Sequence, residues 1–426
     1  RGLGDVYKRQ INNKTQIVES LKKRNKDFSK EIDLVIDFDK KRRTTQSELD
    51  HILFQQNQLS KRIGEYYKSG DQSSGNELKK QVEALKPEVK KLEKNLNEIK
   101  SELFNSLNNI PNVPHYLVKQ GKGEEDNEII YQSTDTNKLT NKQKPHWEIA
   151  SDYNLISFEL GNKISGAGFP AYIDKGAKLE RSLINFFLDY NIKNDYKEVQ
   201  PPLLVNESSG HGTGQLPDKE GQMYKVENEN LYLIPTAEVP ITNFYRNTTL
   251  IKDSVPIKLT GYTPCFRREA GSYGSDVRGL NRLHQFDKVE IVRIEDPSNS
   301  YKVLDEMVEH VKNLLIMLEL PFRIVRLCGG DLGFTSALTY DFEVYAMGQN
   351  KWLEVSSVSN FESFQSNRLN LKIDFGDKKK YCAHTLNGSS LALPRIVACI
   401  LENFQEKDHI KIPEILHKYT GFKQIK

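Results

Sequence analysis

A chain of 426 residues is long enough for two or three domains, each with its own core. A hydrophobic fraction of 37% suits a globular protein, and no run approaches the ~20 apolar residues of a membrane helix, so no membrane partner is expected. The net charge of +3 is too small to mark a nucleic-acid binder, which leaves only a local basic patch for that role. Cys265, Cys328, Cys382 and Cys399 lie far apart, with no C-x-x-C pair and no histidine at ligand spacing; they read as reduced thiols of a cytoplasmic protein, and no zinc is expected.

Residues 1–10, Arg1 to Gln10, carry no initiator methionine, no apolar targeting core and no periodicity shared with the residues after them, and read as a non-native scar. From Glu31 to Tyr66 the positions Val35, Phe38, Arg42, Thr45, Leu49, Ile52, Gln56, Leu59, Ile63 and Tyr66 step by threes and fours, a heptad seam. Leu78, Val82, Leu85, Val89, Leu92, Leu96, Ile99 and Leu103 repeat the pattern. Lys68 to Gly75, rich in glycine and small polar residues, suits a reversal between the two runs. The expectation is an antiparallel coiled-coil hairpin over residues 11–110, projecting because it is too long to pack wholly on one domain, with Pro87 bending its second helix. Its mixed charges suit an ordinary solvated face, with Lys61, Arg62, Lys79, Lys80, Lys90 and Lys94 among the cations.

Pro111 and Pro114 end the hairpin, and residues 111–145 read as a polar connector. Residues 146–426 read as an α+β domain. Leu179, Leu183, Phe186, Phe187 and Tyr190 define an amphipathic helix after Gly176. Short β-rich stretches come next at Lys197–Val199, Asn230–Ile234, Lys258–Tyr262, Lys288–Ile294, Phe322–Leu327, Tyr340–Tyr345 and Trp352–Val355. They succeed one another through turns, which predicts an antiparallel sheet flanked by helices. Neither a G-x-G-x-x-G nor a G-x-x-x-x-G-K-[ST] loop is present, so a nucleotide would need another architecture.

Cys265-Phe-Arg-Arg-Glu269, then a glycine-rich loop, then Gly279-Leu-Asn-Arg-Leu-His-Gln-Phe-Asp-Lys-Val-Glu290 resembles motif 2 of class II aminoacyl-tRNA synthetases, in its seryl form of bacterial type. Pro235-Thr-Ala-Glu-Val-Pro240, Glu354-Val-Ser-Ser-Val-Ser-Asn360 and His384-Thr-Leu-Asn-Gly-Ser-Ser-Leu-Ala-Leu-Pro-Arg395 are similar to the same family, the last to motif 3. Motif 1, which forms the family's dimer interface, falls on the Gly176–Tyr190 helix and the strand ending at Pro201-Pro202. Singly these segments are weak: a Phe-Arg-Arg-Glu is more often a surface ion pair and an Asn-Gly-Ser-Ser more often a turn. Together, in family order after a heptad hairpin, they are specific. Two positions depart from the family pattern: Pro394 and Ser390 stand where glycine is common. Pro394 is tolerable in a first helical turn, where no N–H is needed.

The resemblance implies a ligase that activates L-serine with ATP, with Mg²⁺ on the phosphates, and transfers it to the 3′ end of tRNA(Ser) and, where it exists, tRNA(Sec), as a homodimer. It implies that Arg267 holds the α-phosphate and the serine carboxylate, and Arg395 the γ-phosphate. Planar guanidinium groups suit this, because the reaction needs charge cancellation and alignment. Glu269 would accept from the adenine amino group and Phe286 stack on the ring, with Arg268, Val355 and Ser356 completing the ATP site. Glu354 and Ser357 would hold Mg²⁺, a cation that takes hard oxygen ligands. Glu290 would read the serine hydroxyl, with Thr236, Ala237, Glu238 and Ser389 around the amino acid. The basic arm residues and Arg278, in the loop from Ala270, would meet tRNA. Two rival readings remain: a relative that charges a carrier protein, which would lack the arm, and an inactive scaffold, which would have lost Arg267, Glu269, Glu290, Glu354 or Arg395.

Overall fold

The computed structural model describes residues 14–135, 139, 143–269, 278–376 and 379–426, so residues 1–10 lie outside it. These divide into two compact units, one of residues 14–22 and 26–111, the other of residues 23–25 and 112 onward.

The smaller unit holds helices α1 (Lys14–Lys22), α2 (Ser29–Lys68) and α3 (Gln72–Leu107). At 40 and 36 residues, α2 and α3 run roughly 60 and 54 Å at ~1.5 Å per residue. They pair along the heptad seam: Val35, Thr45, Leu49, Ile52, Val89, Leu96 and Leu103 are buried, while the residues flanking them are largely exposed. Arg42, a polar seam member, bonds the buried Asp39 through Nε at 2.8 Å. The reversal is tighter than the sequence suggests, only Ser69–Asp71, and Gln72–Gly75 is helical. The cause is local. Gly70 takes φ +85°, and Asp71 caps α3 by accepting from the Ser74 N–H at 3.1 Å. Gly75 then slips under the Tyr67 ring, where a Cβ would sit 3.2 Å from Cζ. The helix also continues through Pro87, which is exposed, so water can satisfy the carbonyl it strands.

The larger unit is built on eight strands, β1 (Glu128–Gln132), β2 (Lys197–Glu198), β3 (Ile257–Phe266), β4 (Gln285–Glu295), β5 (Phe322–Arg326), β6 (Leu338–Ala346), β7 (Lys351–Asn360) and β8 (His384–Ala392). Their spatial order is β1-β5-β6-β7-β8-β4-β3-β2, antiparallel throughout except for β2, which joins β3 in parallel. The unit begins at residue 112, so the segment that reads as a connector belongs to it, and part of that segment forms edge strand β1 on β5. Strand β8 shows in the sequence only as a motif. Its polar run pairs with β7 and β4 in the middle of the sheet.

The pleat sorts side chains between two faces. From β4, Val289 and Ile291 join the main core with Leu386 of β8, Val358 of β7 and Phe342 of β6. Helices α4 (His146–Asp152), α5 (Lys175–Lys193), α6 (Ser300–Met317) and α7 (Leu393–Asn403) contribute Ile149, Leu183, Met307 and Ile400 to it. Pro394 lies at the start of α7, in the first turn, as expected. The alternate residues of the same strands face the other way and build the site.

Candidate active site

A cavity of about 500 Å³ opens on that second face, and its wall alternates along the strands. Phe286 and Lys288 enter it from β4, Asn387 and Ser389 from β8, each pair two residues apart. Arg267 and Glu269 come just after the end of β3, and Thr236 and Glu238 sit at the start of the short helix Glu238–Asn243. Arg395 reaches in from the first turn of α7.

Strand β7 brings Glu354 and Ser357 together by a bulge. Glu354 pairs with Glu343, and Ser356 with Phe342, so Val355 is one residue extra. Because Glu343 and Asp341 share a face of β6, their partners Glu354 and Ser357 share it too, although three residues apart. Without the bulge they would point to opposite faces. Asp341, opposite Ser357, has a buried Oδ1 with no hydrogen-bond partner among the described residues. Burial, then the nearby Glu354 carboxylate, pushes its carboxyl well above the usual range.

One end of the cavity is acidic and tightly wired. Glu238 accepts from Gln365 Nε2 and, at 2.9 Å, from Asn387 Nδ2. The same Asn387 amide donates to Glu290 Oε1 at 3.0 Å, bridging the two carboxylates. Glu290 Oε2 takes Thr236 Oγ1 at 3.0 Å and Lys288 Nζ at 2.8 Å. Burial, reinforced by Glu290, raises the Glu238 carboxyl to about 7. Two guanidinium groups also line the cavity. Arg267 lies 5.2 Å from the centre of the Phe286 ring, with Nε donating to the Pro235 carbonyl at 3.3 Å. Arg395 donates from Nη1 to the Glu354 carbonyl at 2.5 Å, with the Glu354 carboxylate 3.6 Å from the same nitrogen.

Most of the residues singled out in the sequence therefore meet in one place: Thr236, Glu238, Arg267, Glu269, Phe286, Glu354, Val355, Ser356, Ser357, Ser389 and Arg395 all line the cavity. Three do not. Glu290 has no exposed surface and lies behind Thr236, Lys288 and Asn387, because both its oxygens are already occupied by buried donors. Ala237 is packed into a small core with Ile241, Leu259 and Val292. Arg268 is exposed, its backbone N–H bonding the Gln222 carbonyl. Ser356 faces the cavity but spends its hydroxyl on the Ser389 carbonyl at 2.6 Å. Glu269 holds φ +47° and pairs with Arg282 at 3.1 Å. Lys288, Asn387 and Gln365 belong to the site although the motifs do not single them out. The first two have a signal in the sequence, since Phe286, Lys288 and Glu290 alternate on one strand, as do Asn387 and Ser389.

Residues 270–277 of the glycine-rich loop lie outside the described residues. Arg278 is exposed and stacks its guanidinium 4.6 Å from the centre of the Trp147 ring. In the smaller unit, Lys61, Arg62, Lys79, Lys80, Lys90 and Lys94 are all exposed, and Lys94 alone of them forms an ion pair among the described residues, with Glu98 at 3.9 Å. No cluster of three or more His, Cys, Asp or Glu side chains able to hold a metal occurs among the described residues.

Residues 224–404 match the tRNA synthetase class II core domain (G, H, P, S and T), and residues 7–114 match the seryl-tRNA synthetase N-terminal domain. The chain is 45% identical over 396 residues to a serine–tRNA ligase of Salinibacter ruber, covering 92% of each chain. Among solved structures it resembles seryl-tRNA synthetase from Pyrococcus horikoshii complexed with ATP, with a TM-score of 0.89, 33% identity and 98% of both chains covered. A cytoplasmic serine–tRNA ligase from Naegleria fowleri in complex with AMP superposes with a TM-score of 0.83 at 28% identity, over 97% of this chain and 96% of that one.

Proposed function

The chain belongs to the seryl-tRNA synthetase family, ligases that join serine to tRNA in an ATP-dependent reaction, and on that premise we propose how its own residues divide the work. The observation that carries the proposal is the set of charges gathered at one cavity: the Glu238 carboxylate wired to Glu290 through Asn387, two guanidinium groups on the lining, and Phe286 under one of them.

Serine enters with its ammonium toward Glu238, the carboxylate that lines the wall. Glu290 acts on the hydroxyl by exchanging one of its present donors for the substrate, and by orienting Thr236 and Asn387. Asn387 spends its amide hydrogens on the two carboxylates, which leaves Oδ1 as an acceptor. Ser389 closes the pocket opposite Glu290, its cross-strand neighbour. Arg267 draws the serine carboxylate and the α-phosphate together. A carboxylate oxygen attacks phosphorus, the bond to the bridging oxygen breaks, and pyrophosphate leaves with its charge met by Arg395. Glu269 and Phe286 hold adenine, with the backbone of Val355 and Ser356 at the cavity wall. In the second step the terminal ribose 3′-oxygen attacks the seryl carbonyl, AMP departs, and the adenylate phosphate takes the proton.

Glu354 and Ser357 offer hard oxygen donors on one face at the cavity wall, which fits Mg²⁺ when phosphate oxygens complete its shell. Bound there, Mg²⁺ would neutralise phosphate charge. The dimer surface we assign to α5 and the segment after it, where Ile192, Leu203 and Leu204 are exposed. No described helix is long and apolar enough to cross a membrane; a cytoplasmic setting, where ATP, serine and tRNA meet, is part of the same proposal.

ATP–pyrophosphate exchange with each amino acid in turn tests the reading. Serine alone should support exchange, and equal or greater exchange with alanine or threonine would overturn it.

A further inference from the structure

The loop after Glu269 returns to the sheet through Gly279, Leu280 and Asn281, and it lands on residues outside every segment assigned above to ATP or serine. Gly279 takes φ +68°, which glycine adopts without steric cost, and a Cβ there would lie 2.2 Å from His146 Nε2. Leu280 then donates its backbone N–H to that same Nε2 at 2.8 Å. A backbone N–H can only donate, so Nε2 is the bare ring nitrogen and the proton sits on Nδ1, 2.7 Å from Glu402 Oε1. Neither side chain has any exposed surface.

Glu402 is held from every side. Oε1 also accepts from the His146 N–H at 3.0 Å and from Gln349 Nε2 at 2.7 Å. Oε2 accepts from the N–H groups of Gly348 at 2.9 Å and Gln349 at 3.1 Å. This many donors offset the cost of sinking a carboxylate into the core. The line of bonds then runs into the cavity. Asn281 Nδ2 donates to Gln349 Oε1 at 2.8 Å, and the Asn281 carbonyl accepts from Arg395 Nε at 3.1 Å. Arg395 and Glu402 lie on one helix, about two turns apart and so on one side of it.

We propose that the buried His146–Glu402 pair is a positioning device for the triphosphate end of ATP. It fixes where the loop lands, and through the Asn281 carbonyl it fixes the aim of Arg395. The inference rests on the role given to Arg395 above. Both members are positioning residues, since neither touches the cavity.

The test compares ATP with AMP, which lacks the phosphates that Arg395 would meet. Calorimetric titration of each nucleotide into the full chain is run for wild type, His146→Ala, His146→Gln and Gly279→Ala, alongside KM for serine in pyrophosphate exchange and a thermal melt. His146→Ala should weaken ATP about tenfold while AMP affinity and serine KM stay within about twofold. Glutamine retains an acceptor for the Leu280 N–H and should restore at least half of the loss on a logarithmic scale. Gly279→Ala, which pushes the loop off His146, should reproduce the ATP-selective loss. Should His146→Ala fail to fold, the glutamine and Gly279 variants carry the same criterion. Equal weakening of ATP and AMP, or unchanged ATP affinity in folded variants, overturns the proposal. Absence of serine-dependent exchange in the wild type would instead strike the functional reading, because the nucleotide comparison needs no serine.

Discussion

In the proposed division of work Arg267 is the side chain whose charge both substrates need, and its guanidinium lies over the Phe286 ring on the cavity lining. Removing one charge contact that strengthens in a transition state costs roughly 3–4 kcal/mol, a factor of roughly 10²–10³. Arg267→Ala should therefore lose serine-dependent pyrophosphate exchange by that factor while keeping its melting temperature; near wild-type exchange would sink the assignment. Glu238 supplies a second test. Its carboxyl is raised from 4.5 to about 7 by burial and by Glu290. The free protein is thus relatively favoured while Glu238 stays protonated, and this contribution to stability is lost as pH rises through about 7. Binding a serine ammonium reverses the preference, because a cation beside Glu238 stabilises the ionised form. Serine KM should fall as pH rises from about 6 to 8, with a proton released on binding below pH 7. Isothermal titration in buffers of different ionisation enthalpy counts that proton, and Glu238→Gln should abolish both effects. For Glu290, replacement by Ala should cost serine activation far more than residual alanine activation, since only serine presents a hydroxyl to that end. Proportional losses would make Glu290 a packing residue.

Helices are far easier to read than strands in this chain, and the reason lies in what each must bury. The seam of α2 and α3 repeats every three and four residues and each member is buried or half-buried, so the pattern is visible in the letters. Strand β8 hides in plain view because Asn387, Gly388, Ser389 and Ser390 look like a turn; their burial is satisfied instead by partners far away in sequence, such as Glu238, Glu290 and Asn191. Ser390 illustrates this well. Its hydroxyl fills a buried polar node by donating to Asn191 Oδ1 at 2.9 Å, which also meets His310 Nε2 at 2.7 Å. The sealing of Glu290 is equally illegible, since nothing local says that three donors converge on it. The bulge at Val355 escapes a sequence too, because an extra residue in one strand is defined only by its partner. Pro87 marks where local reasoning overshoots. An interior proline is about 3 kcal/mol less favourable than alanine in a helix, yet the seam contacts on either side hold α3 together. Pro87→Ala should slow amide hydrogen exchange around residues 83–92, by up to about a hundredfold if the full propensity difference is realised. Unchanged exchange would mean that the proline is fully accommodated.

At the scale of the whole molecule, the residues assigned to the chemistry and the exposed cations of the hairpin fall in separate units, which makes the two half-reactions separable. All residues assigned to ATP and serine lie at or beyond Thr236, in the unit that begins at residue 112. Lys61, Arg62, Lys79 and Lys80 flank the Ser69–Asp71 reversal, each about 10 Å along its helix from the turn, and all four are exposed. Arg24 Nε donates to the Asn112 carbonyl at 3.0 Å within the larger unit, so a short glycine–serine linker can replace residues 26–111. Removing α1 and everything before Lys23 as well avoids baring Ile17, Val18 and Leu21. The shortened protein should form seryl-adenylate at close to the full rate and fail to charge tRNA, because cations outside the acceptor end would no longer meet its phosphates. A full-length protein with Lys61, Arg62, Lys79, Lys80, Lys90 and Lys94 changed to glutamine separates charge from bulk. Its adenylate formation should be unaltered, and the slope of log affinity for tRNA against log salt should become shallower by roughly 0.7–0.9 for each phosphate left without its cation. The measurement is adenylate production and tRNA charging side by side, with tRNA binding followed across a salt series. Full charging by the shortened protein would make the hairpin a scaffold and move the search for tRNA contacts to the larger unit, starting from Arg278 and the Trp147 ring it covers.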